Sequence, residues 1–460
     1  MKIKLIAPHE QSEENISSAE TFKIQKVNLP LLAALTPPEH EIKIVDEAFV
    51  PDDLNEEVDL VGITVMTDLA LRAYQIADTY RQRGVKVVMG GIHPTVLPGD
   101  ALQHGDAVVT GEAEEVWPRL LFDASSGEMK KLYCANKITN LNGIPKPRRD
   151  LYPKPLYKSY TPLAFGIETA RGCPYNCEFC SIGSVMGRQY RSRPIPEVLG
   201  EIESMDASHL FFVDDTLALN RPTAKKLFKE MIPFRRKWAG QGPVSLAEDV
   251  ELLKLMKRSG CVGLLIGFES VQKEIHDGMK KIRNLKIDFS EAMCRFHGEG
   301  MAILGAFVFG FDHEDKDVFD QTLEFSMKNH LDCIELRILT PYPGTRLYKR
   351  LLEEGRLFAP NWWLQGYPPD TLLFQPKGMT AEDLIEGFVR LNRQTYSYGS
   401  MIKRFFGMSP WKRNAFGCLV YAGLNLATRK RYFKGLRIPQ PFVMTPHSTK
   451  NERESMAYHA

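Results

Sequence analysis

Two runs of short β-rich segments alternate with helix-patterned stretches along this chain, and that alternation narrows the fold more than any other feature. Parallel strands cannot be joined by tight turns; each pair needs a crossover of about a dozen residues or more, usually a helix. In residues 1–125 the strands are IKLIA, EIKIVD, DLVGITVM, VKVVMGG and DAVVTG, with NLPLLAAL and the amphipathic DLALRAYQIADTYRQRG between them. This predicts an α/β domain with a doubly wound parallel sheet and a ligand crevice at the carboxyl ends of its strands. Residues 126–160, with NGIPKPRRDLYPKPLYKSY, read as a linker. A second series over 161–345 has the strands AFGIETA, LFFVDD, PVSLA, VGLLIGFES, AILGAFVFGF and CIELRIL, separated by helical patterns such as TAKKLFKEMIPFRRKW and DVELLKLMKRSG. Six βα units predict an incomplete, open TIM-like barrel, whose active-site groups belong at the strand ends. Residues 346–460 read as a mostly helical C-terminal region.

Composition excludes more than it selects. The 460 residues suffice for two or three domains, and 59 basic against 57 acidic residues name no partner by bulk charge, so no DNA is expected. MKIKLIAPHEQSEEN has too short an apolar run for a signal peptide, and no window approaches a membrane span. Cys134, Cys261, Cys294, Cys333 and Cys418 are scattered, which is no disulfide framework and points to a reducing cytoplasm. Charge is segregated in the tail: Gly387 to Asn451 holds twelve Lys or Arg and no Asp or Glu. Phe405, Phe406, Trp411, Phe416, Leu419, Val420, Leu424 and Leu426 are interleaved with those cations. The apolar core AFGCLVYAGLNLA is too short to span a bilayer. The mixture predicts peripheral contact with the inner face of an anionic membrane, a helical cap over the barrel, or contact with single-stranded RNA.

Directly after the first barrel strand stands TARGCPYNCEFCSIG, with Cys173, Cys177 and Cys180 spaced C-x3-C-x2-C. A structural zinc site wants four ligands. Three thiolates can hold three irons of a four-iron cluster and leave the fourth open; zinc with a distant fourth ligand is the other reading. The spacing and its strand-end position resemble the radical S-adenosylmethionine (SAM) superfamily. That resemblance implies a [4Fe–4S] cluster on the three cysteines, SAM chelating the open iron, and an electron donor. It makes Phe179 the aromatic that precedes the last cysteine. It also implies SAM contacts at later strand ends: Asp214 and Asp215 of FFVDD, joined by Thr216, for the ammonium; Glu269 and Ser270 of GFES for the ribose or carboxylate; Gly305 and Gly310 of GAFVFGFD for the adenine. Read without the resemblance, the two aspartates are caps of the next helix, and LTPYPGT at 339–345 is a Pro-Gly turn.

The first domain is similar to a cobalamin-binding, Rossmann-like domain; a degenerate domain of that kind without cobalamin is the alternative. Thr64 to Met66 stands where such domains carry S-x-L, and Gly90–Gly91 where they carry G-G. The resemblance implies that Thr64 or Thr67 bonds the nucleotide tail, that Gly90 and Gly91 let it pass close to the sheet, and that Glu112 and Glu114 line the crevice. The motif D-x-H-x-x-G is missing, so no lower-face histidine is evident; His9 and His93 are the histidines near loop positions, His93 read as a loop residue. The chain thus resembles cobalamin-type radical SAM proteins, in the subgroup of hopanoid and bacteriochlorophyll methylases. This implies a C-methyltransferase using cluster, SAM and cobalamin on an unactivated carbon of an apolar, lipid or tetrapyrrole-like substrate. In that scheme cobalamin takes a methyl from one SAM, and a second SAM provides the radical that opens the substrate carbon. A cyclase or carbon–carbon coupling enzyme is the alternative. Methylthiotransferases of RNA carry a further cysteine trio, and here Cys134 alone precedes residue 173.

Overall fold

The computed structural model describes residues 1–9, 24–135, 140–154, 164–272, 288–367, 370–407 and 415–435. Its first sheet holds β1 (Lys2–Ala7), β3 (Glu41–Asp46), β4 (Leu60–Thr64), β5 (Lys86–Gly90), β6 (Ala107–Thr110) and β7 (Leu132–Cys134) in the order β3-β1-β4-β5-β6-β7. All pairings are parallel. Helices such as Ala70–Gln82 and Trp117–Ser125 cover the two faces, each with its own apolar core. The order reverses beside β1, so the crevice opens past the ends of β1 and β4. β7 falls within residues 126–160: part of the stretch expected to link the domains is the sixth strand of this sheet.

The second sheet is a parallel half-barrel. It runs β15-β14-β13-β12-β11-β8-β2, with β2 (Ile24–Gln25), β8 (Ala164–Ile167), β11 (His209–Phe212), β12 (Lys237–Gly242), β13 (Cys261–Glu269), β14 (Ala302–Phe309) and β15 (Cys333–Ile338). β9 (Ala170–Arg171) and β10 (Arg191–Ser192) form a small antiparallel pair at its mouth. Two details differ from the sequence reading. The third barrel strand is KWAGQG, whereas Val244–Glu248 of PVSLA is a 3-10 turn. Gly-Gln-Gly has little intrinsic strand preference, but β11 and β13 impose the pairing from both sides. The half-barrel also borrows β2 from the first domain, a strand too short to show a period.

The free edge of β15 is closed by side chains. The Tyr396 hydroxyl accepts from the Ile334 amide (3.2 Å) and donates to the Ile334 carbonyl. The Tyr432 hydroxyl does the same for Leu336, at 3.3 and 3.0 Å. Two C-terminal helices therefore satisfy, through phenols, edge groups that a further strand would otherwise pair. Tyr396 follows the helix Ala381–Thr395, started by a Thr380–Asp383 capping box, and Tyr432 lies in the helix Ala415–Gly435. The helical cap over the barrel is thus present. Trp411 and the side chain of Phe416 lie outside the described residues, and Phe405, Val420 and Leu424 are half-buried. No helix among the described residues is long and apolar enough to cross a membrane.

Candidate active site

The carboxyl ends of the two sheets face each other, and a charge cluster ties them. Glu112, after β6, has its two carboxylate oxygens taken by Arg171 of β9 (2.8 Å) and Arg191 of β10 (2.5 Å). Arg171 also meets Glu114 (2.5 Å) and Glu168 (2.8 Å), and these carboxylates keep its guanidinium charged despite burial. A crevice-lining role for Glu112 is therefore replaced by a buried contact between domains. Such contacts are geometrically demanding and select one docking orientation.

Cys173, Cys177 and Cys180 follow immediately, on the loop between β9 and the short helix Ile182–Val185. All three are half-exposed and none is in a disulfide. The end of β11 holds this loop. Asp214 Oδ1 accepts the amides of Thr169 (2.6 Å) and Ala170 (3.2 Å), and Oδ2 accepts the Thr169 hydroxyl. Asp215 accepts the Gly172 amide at 2.8 Å, and Thr216 Oγ1 lies 3.2 Å from Cys173 Sγ. Among the described residues the pair caps no helix, and both Asp214 oxygens already accept from Thr169 and Ala170, so a contact with an incoming ammonium would share them. Burial pushes the Asp214 carboxyl up to about 7 and raises that of Asp215.

The other side of the loop is gripped by LTPYPGT and the helix it starts. Thr345 caps Arg346–Glu353 by accepting from the Tyr348 amide. The Leu347 amide donates to the Glu178 carbonyl (2.9 Å), the Ser184 hydroxyl to the Gly344 carbonyl (2.7 Å), and Arg350 pairs with Glu178 at 3.0 Å. Phe179 stands edge-on to Phe311, centroids 5.6 Å apart, linking the cysteine loop to the end of β14.

At that end lies a carboxylate that sequence reading missed. Glu314 Oε2 accepts the amides of Gly310 (2.7 Å) and Phe311 (3.1 Å), while Oε1 accepts the Ser270 hydroxyl at 2.7 Å. Burial pushes its carboxyl up to about 7. Beside it, Glu269 has φ +65°, in the left-handed region that non-glycine residues rarely occupy, where the β13–β14 register shifts. Strain of this kind collects at functional strand ends. The glycines have other reasons than adenine. A Cβ on Gly305 would meet Leu331 at 2.8 Å on the helix side of the sheet, and one on Gly310 would meet Phe374 at 3.0 Å.

In the first domain, Thr64 stands half-exposed at the end of β4, its hydroxyl accepting from Asn28 at 2.9 Å, while Thr67 is buried. Gly91 has φ +105°, and a Cβ there would lie 3.0 Å from the Val65 amide and carbonyl; Gly90 carries no such constraint. The backbone approach that Gly91 permits is thus one between β4 and β5. His93 is not a loop residue. It is buried in the helix Ile92–Val96, its Nε2 lying 2.7 Å from Tyr74 Oη and 3.3 Å from Asp100, and its ring against Trp363. That seat withdraws it from the crevice. His9 follows β1, with its amide on Glu47 at 3.0 Å.

A parallel half-barrel with three thiols at its mouth, facing the crevice of a doubly wound domain, defines a two-domain cofactor enzyme. The donor set at the barrel mouth is three half-exposed thiols on one loop, a chemistry that suits iron. The sequence profile of the radical SAM superfamily matches residues 167–326, that of the B12 binding domain residues 22–121, and a domain of unknown function residues 345–414. A bacteriochlorophyllide d C-12(1)-methyltransferase of Chlorobaculum tepidum is 30% identical over 88% of this chain and 89% of its own length. A hopanoid C-2 methylase of Rhodopseudomonas palustris is 23% identical over 72% of this chain and 64% of its own. The solved radical SAM methyltransferase TsrM of Kitasatospora setae, with cobalamin and a [4Fe–4S] cluster bound, superposes with a TM-score of 0.66 at 15% identity, over 94% of this chain and 99% of that one. The chain belongs to the radical SAM superfamily, in the branch that carries an N-terminal B12-binding domain, and its cofactors are the [4Fe–4S] cluster, SAM and cobalamin.

Proposed function

We propose that this enzyme transfers a methyl group to an unactivated carbon of an apolar substrate of lipid or tetrapyrrole type, with Cys173, Cys177 and Cys180 holding the cluster. The observation that carries the substrate class is the lining of the half-barrel. Along β14 the residues alternate: Ile303, Phe307 and Phe309 are buried against the helices, whereas Leu304, Ala306 and Val308 on the other face are only half-buried. Leu265 of β13 sits beside Leu304 and is half-buried in the same way. This aliphatic strip, bordered by Gln241 of β12 beside Leu265 and by Glu335 and Arg337 of β15 beside Ala306 and Val308, favours a reactant that is apolar at its reacting end and meets polar groups on either side.

When bound, the cofactors supply one-electron chemistry from an external donor and a transferable methyl group. The chain's own residues place and shield them. Asp214, Asp215 and the Arg346–Glu353 helix clamp the cysteine loop. Glu314 fixes the strand ends that carry Glu269 and Ser270. The Glu112–Arg171–Arg191 cluster sets how the first domain stands over the barrel. Arg337 of β15, paired with Glu335 (2.7 Å) and Asp370 (3.3 Å), marks the polar rim of the apolar wall.

The test is anaerobic reconstitution followed by mass spectrometry of a lipid and pigment extract incubated with deuteromethyl SAM. A product heavier by one labelled methyl group is expected. A product that has lost hydrogen and gained no label would replace methyl transfer by cyclisation or coupling.

A further inference from the structure

The helices Tyr398–Phe405 and Ala415–Gly435 lie side by side and antiparallel. The Tyr421 hydroxyl donates to the Met401 carbonyl, and Arg429 lies over the rings of both Tyr398 and Phe433, at 4.5 and 4.1 Å. Their inner faces are consumed by the barrel edge, through Asn425 on the Asp332 carbonyl, buried Arg404 on the Leu331 carbonyl, and Tyr432 on Leu336. Their outer faces are not. Tyr398 is 62% exposed, Ile402 57%, Phe406 78% and Leu419 72%, with Leu426 and Phe433 continuing the row. On the longer helix Leu419, Ala422, Leu426, Lys430 and Phe433 recur at the spacing of one helical face, all exposed. Large apolar side chains gathered on one face mark an interaction surface, whereas single ones do not.

We propose that this face docks on an anionic lipid bilayer. Charge selects the occupant. Among the described residues exposed Lys403 and Lys430 stand on the same helices as the apolar row, in a stretch of sequence, Gly387 to Asn451, that has twelve Lys or Arg and no Asp or Glu. A second copy in a two-fold contact would bring this basic stretch against itself. Bases could stack on Tyr398, Phe406 and Phe433 alone, whereas a lipid boundary takes these rings and the aliphatic Ile402, Leu419 and Leu426 alike. An apolar row flanked by cations, on helices that lie flat against the domain, suits insertion to the headgroup boundary. The surface goes beyond the methyl-transfer reading and is measured without substrate, so the two stand or fall separately.

The experiment is flotation of the full reconstituted chain with phosphatidylcholine vesicles, with and without phosphatidylglycerol. Wild type is compared with Phe406→Ser/Leu419→Ser and with Lys403→Glu/Lys430→Glu, all at exposed positions. Wild type is expected to float with the anionic vesicles alone and to be released by high salt. Each double variant is expected to bind about tenfold more weakly or less, with an unchanged melting curve. Wild type that stays down with anionic vesicles at low salt overturns the proposal. So does a dimer in sedimentation that Phe406→Ser/Leu419→Ser dissolves without altering flotation.

Discussion

Two buried carboxylates at opposite ends of the barrel mouth make the same connection. Asp214 takes two consecutive amides on one oxygen and the Thr169 hydroxyl on the other; Glu314 takes two consecutive amides on one oxygen and the Ser270 hydroxyl on the other. Each ties the ends of adjacent strands, β11 to β8 and β14 to β13, and burial raises both carboxyls to about 7. The difference lies in what they hold. Asp214 supports the loop with the cysteines and the charged contact to the first domain. Glu314 supports the strained turn of Glu269. One stapling device thus steadies the cysteine loop at one end and a strand-end turn at the other, and the two ends differ by the residues attached to it.

The largest test of that contrast is removal of the cysteines. Cys173→Ala/Cys177→Ala/Cys180→Ala is expected to abolish turnover and the visible charge-transfer absorption. Its melting temperature should change little, because all three residues are half-exposed. Retention of about four irons per chain would remove the assignment.

Next is Arg171→Ala, at the Asp214 end. It leaves Glu112, Glu114 and Glu168 without their shared partner, at a cost of about 3–5 kcal/mol. Activity should fall with the unfolding free energy measured by denaturant. A loss below about 1 kcal/mol would mean that the domains are held elsewhere.

Smaller effects come from Asp214→Asn and Glu314→Gln, which keep an acceptor oxygen for the two amides, turn the bond to the hydroxyl round so that the new NH2 donates to it, and remove the charge. A carboxyl whose folded pKa lies above its unfolded value stabilises the fold fully below the unfolded pKa, near 4, and loses that contribution as pH rises through about 7. Each variant should therefore match wild type at the acid end and become the more stable by pH 8, by at most about 4 kcal/mol at about 1.4 kcal/mol per pKa unit. Parallel melting curves from pH 4 to pH 8 would contradict the raised values. Iron content should respond to Asp214→Asn more than to Glu314→Gln, while the KM for SAM should respond in the opposite order; equal responses would erase the functional difference between the two ends.

The smallest effect is expected far from both. Tyr432→Phe leaves the Leu336 amide and carbonyl without their phenol, costing about 1 kcal/mol with activity unchanged. This edge role also makes point changes the right probe of the C-terminal helices: cutting the chain before residue 400 would remove Tyr432 and open the edge of β15.

The legible parts of the site were those whose chemistry is compressed into a few neighbouring residues. Three cysteines in eight positions after a strand, two aspartates closing the next strand, and Glu269–Ser270 closing the fourth all stand out from the local pattern. Glu314 did not, because its partner Ser270 is forty-four residues away and nothing in FDHEDKD separates one acid from the rest. Gly305 and Gly91 read as room for a ligand. Their neighbours, Leu331 and Val65, show that the room is taken by the protein itself. His93 read as a loop residue because Pro94 follows it, yet proline fits the first turn of a helix, where its missing amide costs nothing.

By itself the sequence determined the α/β class and the pairing of a doubly wound domain with an open barrel, and it put forward the cysteine trio proposed to hold the cluster, since periodicity and ligand spacing are local properties of the chain. Tertiary structure alone decided which carboxylates are spent on holding backbone, which glycines serve packing, and how the first domain stands over the barrel. Those outcomes depend on burial and on partners distant in sequence, and a carboxylate changes its meaning when water is replaced by two amides and a hydroxyl.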